Sequence, residues 1–482
     1  MGHEIEIMRE ERFLNVGCGK AKIHGFINID VNRDADVTLD VRHGLPYEDN
    51  TVDGIYSEHF IEHLTQTEII RFLRECRRVL KPGGRIRIAT PDLDEIVRHY
   101  YTNTWRQPWL LKYGYEWICN RAEYLNVSLR EWDHLWVVNE EELVRLALWA
   151  GFDQYERCKP GYSSEVRFLN LETRAESTLV IEFIKTTITI PQEPLITIVI
   201  PAYRPDFFKQ CIDSALSQTY KHFEVLILDD SRCFTIHSII SRHYKNLPQI
   251  IYHRNNISLG EADNFTQGIH LANGYFIKPL HDDDKLHPQA LQWLVDAFRS
   301  HPECTLAVGA TQKIDEQGNL VPRGLLDRPL ARTSCRLDGT RMIELVLSGV
   351  KNHLGEPTSM MFRRRDALLI KEPNVMSLFG RLCFGIGDVC LAMHLLSRGN
   401  LAYVADPVAQ IRIHSGQTQR IENSRQTALS TWLYIKRQGL RLGFDVSKFS
   451  LLMTKLILRC PQLYILAKIH STLATLREHY NI

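Results

Sequence analysis

Two short apolar runs near the start of the chain end at small or acidic residues. Residues 13–16 (FLNV) lead into Gly17 and Gly19, and residues 25–29 end on Asp30. Glycines at such a turn let a ligand approach the backbone, and an acid ending the second strand can accept hydrogen bonds from ribose hydroxyls. The pattern predicts the first strand, turn and second strand of a nucleotide-binding sheet. Because Asp30 follows Gly17 closely, the first helix is predicted to be reduced to a turn or so.

The same pattern returns after residue 194. Residues 195–200 (LITIVI) form a continuous apolar run, and residues 208–216 carry apolar side chains at helical spacing. A second apolar run, residues 223–228, leads into Asp229 and Asp230. Such runs are typical of strands buried in a parallel sheet. The chain therefore predicts a second nucleotide-binding unit with acids at a strand end.

A third run in this half, residues 275–280, stops at Asp282, Asp283 and Asp284. In open α/β sheets, ligands bind beyond the carboxyl ends of the strands. Carboxylate oxygens there suit Mg²⁺ or Mn²⁺, which bridge to the phosphate oxygens of a substrate. The alternative is a solvated acidic turn that caps the helix predicted from Pro288.

Composition adds limits to this picture. At 482 residues the chain is too long for one ordinary core, so at least two domains are expected. Its 58 basic and 57 acidic residues nearly cancel, so no overall field favours nucleic acid as a partner. The 11 cysteines form no CxxC pair, which favours reduced thiols in a cytoplasmic protein. The charged N-terminus and the lack of an 18-residue apolar run argue against secretion and a membrane span.

The domain limits follow from breaks in periodicity. Residues 187–194 (TTITIPQE) show little periodicity and are predicted to link domains at 1–186 and 195–420. Residues 421–482 are predicted to form a basic helical extension, in which leucines such as Leu452 and Leu456 alternate with Lys448 and Lys455. Such a segment can lie on the inner face of a membrane or pack on the catalytic domain, and the sequence favours neither.

Further motifs follow the first turn in order. They are LDV around Asp40, LPYEDNTVD, EHFIEHL, RVLKPGGRIRI and the late strand TLVIEFIK. With the NVGCG turn, residues 12 to about 186 resemble a class I S-adenosyl-L-methionine-dependent methyltransferase. By that resemblance Gly17 and Gly19 line the methionine moiety, Asp30 binds the ribose and Asp40 lies near the adenine. The alternatives are a tight turn for the glycines and helix or strand caps for the acids.

The sequence indicates less clearly which residues contact the methyl acceptor. His59 and His63 would share one face if EHFIEHL is helical, and His59 falls where this fold often places residues that contact the acceptor. A structural histidine is an equal alternative. No metal triad accompanies them in the sequence, so a zinc site is not predicted. The Trp- and Tyr-rich residues 99–136 could cover the acceptor or simply pack.

The second half has its own set of motifs, IPAYRP, DDS, NNISLG and the DDD acids. Residues 195 to about 420 closely resemble family 2 glycosyltransferases of the GT-A fold. This resemblance implies a UDP-, GDP- or dTDP-sugar donor, a Mg²⁺ or Mn²⁺ ion, and a glycan or lipid-linked glycan acceptor. By this resemblance, the base is framed by Pro201, Ala202 and Tyr203. The nucleoside is contacted by Asp229 and Asp230. The cation is held by Asp282, Asp283 and Asp284. His281 stands where the family often has an acid, so the aspartates that form the DxD pair are not decided.

Three later residues complete the site by the same resemblance. Glu356, in LGEPTSMMFRRR, matches the acceptor side. Asp388 matches the Asp of the family's ED motif and would take the acceptor proton, although Gly387 replaces the preceding acid. The alternative for Asp388 is a helix N-cap. His414 matches a histidine that joins the metal or the diphosphate.

The sequence thus predicts an α/β protein with two Rossmann-like domains and a helical tail. We expect an S-adenosyl-L-methionine methyltransferase joined to an inverting, metal-dependent glycosyltransferase that together make a methylated glycan, such as a bacterial surface polysaccharide. The alternative is a glycosyltransferase whose first half is a non-catalytic binding scaffold.

Overall fold

The computed structural model describes residues 11–174, 178–322, 329–415 and 422–459. The chain divides into two compact units. One consists of Met1–Thr187 with Arg441–Gly443, and the other of Ile188–Leu440 with Phe444–Ile482.

The first unit is built on a seven-stranded sheet of order β3-β2-β1-β4-β5-β7-β6. Strands β1 to β5 pair in parallel, whereas β7 is antiparallel to both β5 and β6. Its strands are β1 Phe13–Val16, β2 Ile27–Asp30, β3 Val37–Thr38, β4 Val52–Glu58, β5 Leu80–Thr90, β6 Gln154–Cys158 and β7 Leu179–Ile184. Its helices are α1 Gln66–Val79, α2 Leu93–Tyr101, α3 Pro108–Lys112, α4 Arg121–Arg130 and α5 Glu140–Trp149.

Helix α1 shows how local sequence starts an element in this unit. The Thr65 hydroxyl accepts a hydrogen bond from the backbone N–H of Glu68, and the Glu68 carboxylate accepts one from the backbone N–H of Thr65. This capping box satisfies two backbone donors at the helix start. Apolar side chains at helical spacing, such as Ile69 and Leu73, are then fully buried.

The connection from β1 to β2 contains no α-helix, as the short spacing predicts. A second expectation for this unit is wrong. EHFIEHL does not form an α-helix, because only Ile61–His63 take helical conformation, as a short 3-10 helix, and His59 has a positive φ of 48°. His59 and His63 therefore do not share a helix face.

The second unit is built on a ten-stranded sheet whose main order is β10-β9-β8-β11-β16-β13-β19-β12. Strands β10, β9, β8 and β11 are parallel neighbours, and β16 is antiparallel to β11 and β13. The ten strands are β8 Ile196–Ala202, β9 Phe223–Asp229, β10 Ile250–Arg254, β11 Phe276–Pro279, β12 Lys285–Leu286, β13 Cys304–Ile314, β14 Leu320–Val321, β15 Cys335–Leu337, β16 Met360–Arg363 and β19 Asn400–Arg412. A separate two-stranded sheet consists of β17 Ser377–Leu378 and β18 Arg381–Leu382. The predicted α/β class with two parallel-rich sheets is confirmed.

Helices flank this sheet and continue into the tail. They are α6 Phe208–Leu216, α7 Thr235–His243, α8 Glu261–Leu271, α9 Ala290–Ser300, α10 Gly339–Ser348, α11 Arg364–Leu368, α12 Gly387–Leu396, α13 Glu422–Arg441 and α14 Lys448–Arg459. The apolar face of α6 is buried as its spacing predicts, and it joins a core with the inner strands β8 and β9.

Apart from Arg441–Gly443, which belong to the first unit, the described part of the tail packs within the second unit. The buried Lys436 of α13 donates to the hydroxyls of Ser450 and Thr454 on α14, and Ser450 in turn donates to the Leu347 carbonyl at the end of α10. Leu452 and Leu456 stay exposed. Residues of the tail beyond 459 lie outside the described range. No helix among the described residues is long and apolar enough to cross a membrane.

Candidate active sites

The carboxyl edge of the second sheet gathers the ends of β8, β9 and β11. Asp230 donates its backbone N–H to the carbonyl of Ala202 at 2.9 Å. Asp282, which follows β11, accepts hydrogen bonds from the backbone N–H groups of Tyr203 and Arg204 at 2.7 and 2.8 Å through one oxygen, Oδ2. The segments that the sequence assigned to base, nucleoside and cation therefore meet at one edge.

Among the three aspartates, Asp283 and Asp284 share a cluster with His281. One potential ligand atom from each of these residues lies within 4.8 Å of the others. His414, from the residues after β19, places its Nε2 atom 2.9 Å from Asp283 Oδ2. The Oδ2 atom of Asp282 holds the backbone at the end of β8, and the predicted contact of Asp282 with the cation stays a prediction. The acids do not cap α9, whose N-cap is Gln289 without a side-chain bond.

The charges in this cluster are coupled. Burial and the neighbouring Asp283 carboxylate raise the pKa of Asp284 to about 7. Burial alone would lower the pKa of His281, but the carboxylates of Asp284, Glu261 and Asp283 raise it to about 9. Crowded carboxylates that hold a proton in this way are suited to accept a divalent cation in its place. Their oxygen atoms suit Mg²⁺ or Mn²⁺, and of the two Mn²⁺ accepts a neighbouring imidazole more readily.

Three residues around the acids were not predicted from the sequence. The Thr358 hydroxyl donates to Asp284 Oδ2 at 2.6 Å and accepts from the His281 backbone N–H. Arg412, fully buried, donates its backbone N–H to Asp284 Oδ1 and its Nε–H to the Asp283 carbonyl. Lys278 is also buried, and burial lowers its pKa to about 7. The basic residues interrupt apolar strands, and that interruption was the available signal.

Asp388 lies in the first turn of α12. Its Oδ2 atom accepts a hydrogen bond from Asn352 Nδ2 at 2.6 Å, and its Oδ1 atom accepts one from the Val389 backbone N–H. Burial and then the Glu356 carboxylate raise the pKa of Asp388 to about 7. The N-cap of α12 is Ile386, so the cap alternative for Asp388 is wrong. Asn352 is a further partner that the sequence did not single out.

The two acids at the end of β9 are fully engaged. Asp230 accepts hydrogen bonds from Asn255, Ser258 and the backbone N–H groups of Leu259 and Gly260. Asp229 accepts hydrogen bonds from the Tyr252 hydroxyl, the Arg254 guanidinium and both the backbone N–H and the hydroxyl of Ser231. Their predicted nucleoside contacts stay predictions, and their visible role is to anchor the NNISLG loop and the residues after β9.

The three residues assigned to the base differ in accessibility. Ala202 is buried and Pro201 is half-buried in β8, whereas the Tyr203 side chain is 48% exposed. Of the three, Tyr203 offers the accessible ring on which a base could stack.

In the first unit, Gly17 and Gly19 form a turn directly against β2. Both have positive φ angles, 72° and 50°, which favour glycine. The Gly19 backbone N–H donates to Asp30 Oδ2 at 2.8 Å, and Asn32 donates to Asp30 Oδ1. A side chain at Gly19 would meet no atom within 4 Å, so the turn borders open space. These residues fit an adenosyl cofactor whose ribose reaches Asp30, since a carboxylate has acceptor capacity beyond these bonds.

Asp40 acts as a helix cap, which was the alternative to a place near the adenine. It caps the short 3-10 helix Val41–His43 by accepting from the Arg42 backbone N–H, and its carboxylate is paired with the Arg42 guanidinium. This pairing lowers the pKa of Asp40 to about 2. Its predicted place near the adenine stays a prediction.

His59 lies at the end of β4 beside a cluster that the sequence did not reveal. Its Nδ1 atom is 3.1 Å from Glu62 Oε1, while its buried Nε2 atom has no hydrogen-bond partner. Glu62, His63 and His134 bring one potential ligand atom each within 4.8 Å of the others. This grouping was not predicted from the sequence, because His134 comes from a segment 71 residues further along the chain (134 − 63).

Comparison with known proteins assigns both units. A family model for "Glycosyl transferase family 2" matches residues 197–368, and one for "Methyltransferase domain" matches residues 14–88. The chain joins a methyltransferase domain to a family 2 glycosyltransferase domain. Asp388 and His414 lie beyond the matched ranges.

Curated relatives match parts of the chain. The chondroitin synthase of Escherichia coli is 33% identical over 28% of this chain and 20% of its own length. The hyaluronan synthase of Pasteurella multocida is 30% identical over 28% of this chain and 14% of its own length. An uncharacterized protein of Mycobacterium tuberculosis is 27% identical over 51% of this chain and 77% of its own. The chain therefore spans only about a fifth or less of the length of the synthases that it matches.

Solved structures also resemble the chain. S. aureus TarS in complex with UDP-GlcNAc covers 56% of this chain and 72% of its own, with 14% identity and a TM-score of 0.40. The mannosyltransferase PcManGT from Pyrobaculum calidifontis, in complex with GDP-Man and Mn²⁺, covers 61% and 78%, with 13% identity and a TM-score of 0.38.

Proposed function

We propose that the chain is a bifunctional enzyme that transfers a sugar from a nucleotide-sugar donor to a glycan and methylates the glycan with S-adenosyl-L-methionine. The observation that carries this proposal is the presence of two separate sheet edges, each with the groups that its chemistry needs. The chondroitin and hyaluronan synthases among the relatives support polysaccharide synthesis as the setting. The product would be a methylated polysaccharide of the bacterial surface.

In the glycosyltransferase domain, Asp283 with His281, Asp284 and His414 would hold a Mg²⁺ or Mn²⁺ ion. When bound, such an ion offsets the charge of a departing diphosphate. Asp388 would accept the proton of the acceptor hydroxyl as its oxygen attacks the anomeric carbon with inversion. A pKa raised to about 7 matches this task, because the carboxylate is basic enough to take a proton and about half of it is ionised near pH 7.

Glu356 and Asn352 would prepare Asp388 for that role. The Glu356 carboxylate raises the pKa of Asp388, and Asn352 fixes its orientation through a 2.6 Å hydrogen bond. Glu356 itself would contact the acceptor, as its matching segment predicts. Tyr203 would stack on the base of the donor, while Asp282 keeps the Tyr203 backbone in place.

In the methyltransferase domain, Gly17, Gly19 and Asp30 would bind S-adenosyl-L-methionine. The cofactor supplies an electrophilic methyl group when bound. Gly19 leaves room for its approach to the backbone, and Asp30 would accept hydrogen bonds from the ribose. His59 would face the acceptor at the end of β4.

A ligand screen with the full chain tests this function. UDP-, GDP- and dTDP-sugars with Mn²⁺ or Mg²⁺, and separately S-adenosylhomocysteine, are added while the melting temperature is followed. We expect one class of nucleotide sugar to stabilise the chain only when a divalent cation is present, and S-adenosylhomocysteine to stabilise it without one. Stabilisation by a nucleotide sugar alone would support the rival function, a glycosyltransferase with a non-catalytic first domain.

A further inference from the structure

A cluster of one acid and two histidines lies beside the cofactor turn of the methyltransferase domain. Glu62 and His63 belong to the short helix that follows β4, and His134 follows α4. One potential ligand atom from each lies within 4.8 Å of the other two. Glu62 is fully buried, while His63 and His134 are half-buried and so can be reached from solvent.

The hydrogen bonds around the cluster orient its ligand atoms. His134 Nδ1 is 3.0 Å from the Ser128 carbonyl oxygen, so this nitrogen carries the proton and donates it, and Nε2 keeps a lone pair. The Thr90 hydroxyl donates to Glu62 Oε2 at 3.0 Å, whereas the buried Glu62 Oε1 faces His59 Nδ1 at 3.1 Å. An imidazole bonded to a carbonyl and a carboxylate held by a hydroxyl are the surroundings that metal ligands have in proteins.

An ion pair alone does not account for this arrangement. His59 Nδ1 lies 3.1 Å from Glu62 Oε1 and can balance its charge. It leaves unexplained why two further imidazoles converge on the same carboxylate, with the ring centroids of His63 and His134 5.2 Å apart. A cation shared by the two imidazoles and the carboxylate accounts for the convergence of all three side chains.

We propose that Glu62, His63 and His134 bind a divalent transition-metal ion, with Zn²⁺ as the ion that fits best. Two imidazole nitrogens and one carboxylate oxygen suit Zn²⁺, whereas Mg²⁺ prefers an all-oxygen shell. Three protein ligands leave a coordination position open, as in catalytic rather than structural zinc sites. The ion is separate from the cation expected at Asp283 in the other domain.

The position of the cluster indicates what the open position holds, and this part rests on the proposed methylation. Phe60, two residues before Glu62, packs on the cofactor turn so closely that a Cβ atom at Gly17 would fall 2.5 Å from its ring. The Trp132 ring is 5.7 Å from the His134 ring and is 40% exposed. A sugar ring could therefore lie on Trp132 while one of its hydroxyls binds the ion.

The ligand of this open position is thus a saccharide hydroxyl, the group that receives the methyl. Binding to Zn²⁺ makes the hydroxyl more acidic, and its proton leaves to water. The oxygen then bonds to the methyl carbon of S-adenosyl-L-methionine while the bond from carbon to sulfur breaks. Its electron pair stays on sulfur, which gives S-adenosylhomocysteine.

Metal binding by the untagged full-length chain tests the proposal with Zn²⁺ alone as the probe. The Asp283→Ala variant serves as the background, because it removes the cation expected in the other domain. We expect it to retain about one Zn²⁺ per chain after dialysis, and His134→Gln in that background to weaken Zn²⁺ at least tenfold in competition with a chelator. His43→Gln, at a histidine whose side chain is 83% exposed, is the matched control and should change nothing.

Two further measurements keep the result interpretable. His63→Gln replaces His134→Gln if the latter fails to fold by circular dichroism, and Co²⁺ absorption reports whether the ligands are imidazoles rather than thiolates. Absence of bound Zn²⁺ in the Asp283→Ala chain, or unchanged affinity in folded histidine variants, overturns the metal site. Calorimetry with S-adenosylhomocysteine separates the claims: Zn²⁺ bound without cofactor affinity rejects the methyltransferase function, and cofactor affinity without Zn²⁺ rejects only the metal site.

Discussion

The two sheet edges of this protein differ in how deeply the carboxylates assigned to their ligands are buried. At the glycosyltransferase edge, carboxylates are buried close together, and burial raises the pKa of both Asp284 and Asp388 to about 7. At the methyltransferase edge, Asp30 is half-buried and held by the Gly19 backbone, and Gly19 borders open space. We expect the buried carboxylates of the glycosyltransferase edge to carry a cation and take up a proton, whereas Asp30 needs only to accept hydrogen bonds from a neutral ribose. The Zn²⁺ ion that we propose for the methyltransferase domain is bound by other residues, Glu62, His63 and His134.

The largest effect on glycosyl transfer is expected when the proposed base is neutralised. Asp388→Asn keeps the side chain's shape but cannot take a proton, so glycosyl transfer should fall about 10² to 10⁴-fold while donor affinity stays nearly unchanged. Initial transfer rates and donor calorimetry measure the two quantities. Asp296→Asn, at a side chain that is 52% exposed, is the control. A variant that transfers sugar at close to the parent rate would make Glu356 the next base to examine.

The cation site should respond differently. Asp283→Ala removes the carboxylate that lies beside both His281 and His414, so cation-dependent donor binding and turnover should fall together, by about 10²-fold or more, since a metal supplies several kcal/mol to the departing diphosphate. Donor titrations with and without Mn²⁺ test this. If the loss appears equally without the ion, Asp283 acts on the fold rather than through a cation.

A substitution at the methyltransferase edge should lower cofactor affinity rather than a rate constant. Asp30→Ala removes hydrogen bonds of a charged acceptor, each worth about 1.5 to 3 kcal/mol, so S-adenosylhomocysteine affinity should drop at least about tenfold. Glycosyl transfer should continue, because its groups belong to another sheet. Calorimetric affinity close to that of the parent would remove Asp30 from the cofactor site.

The raised pKa of Asp388 predicts a pH dependence of about tenfold in rate between pH 6 and 8. The ionised form is the base, so the transfer rate at saturating donor and cation should rise with pH through about 7. The Asp388→Asn variant should not show this rise. The folded pKa exceeds the unfolded value near 3.8, so burial of the charge costs stability as pH rises from about 4 to 7. Asp388→Asn should therefore melt higher than the parent at pH 8, and a matching gain at pH 4 would contradict this origin.

The smallest effect is expected at Asp40. Its carboxylate is already paired with Arg42 at a partly exposed position, so Asp40→Asn should change S-adenosylhomocysteine affinity by less than about fivefold, the equivalent of a surface ion pair. A loss as large as that of Asp30→Ala would show that Asp40 reaches the adenine as the resemblance implies.

The sequence by itself determined the parts that depend on local patterning. Continuous apolar runs specified β1, β8 and β9, and helical spacing specified α6, because burial on a sheet needs those periods. The turn at Gly17 and Gly19 was equally local, since it needs residues that tolerate positive φ. Family motifs in order then identified both domains.

Only the tertiary structure decided which distant side chains share a charge environment. Arg412 and Thr358 reach Asp284 from strands and turns that lie far from it in the chain, and Asn352 reaches Asp388 in the same way. The EHFIEHL segment was misjudged because its helical spacing is overridden at the end of β4, where His59 adopts a positive φ. Glu62, His63 and His134 form a cluster that no local spacing predicts, because metal-ligand geometry depends on where separate segments meet in space.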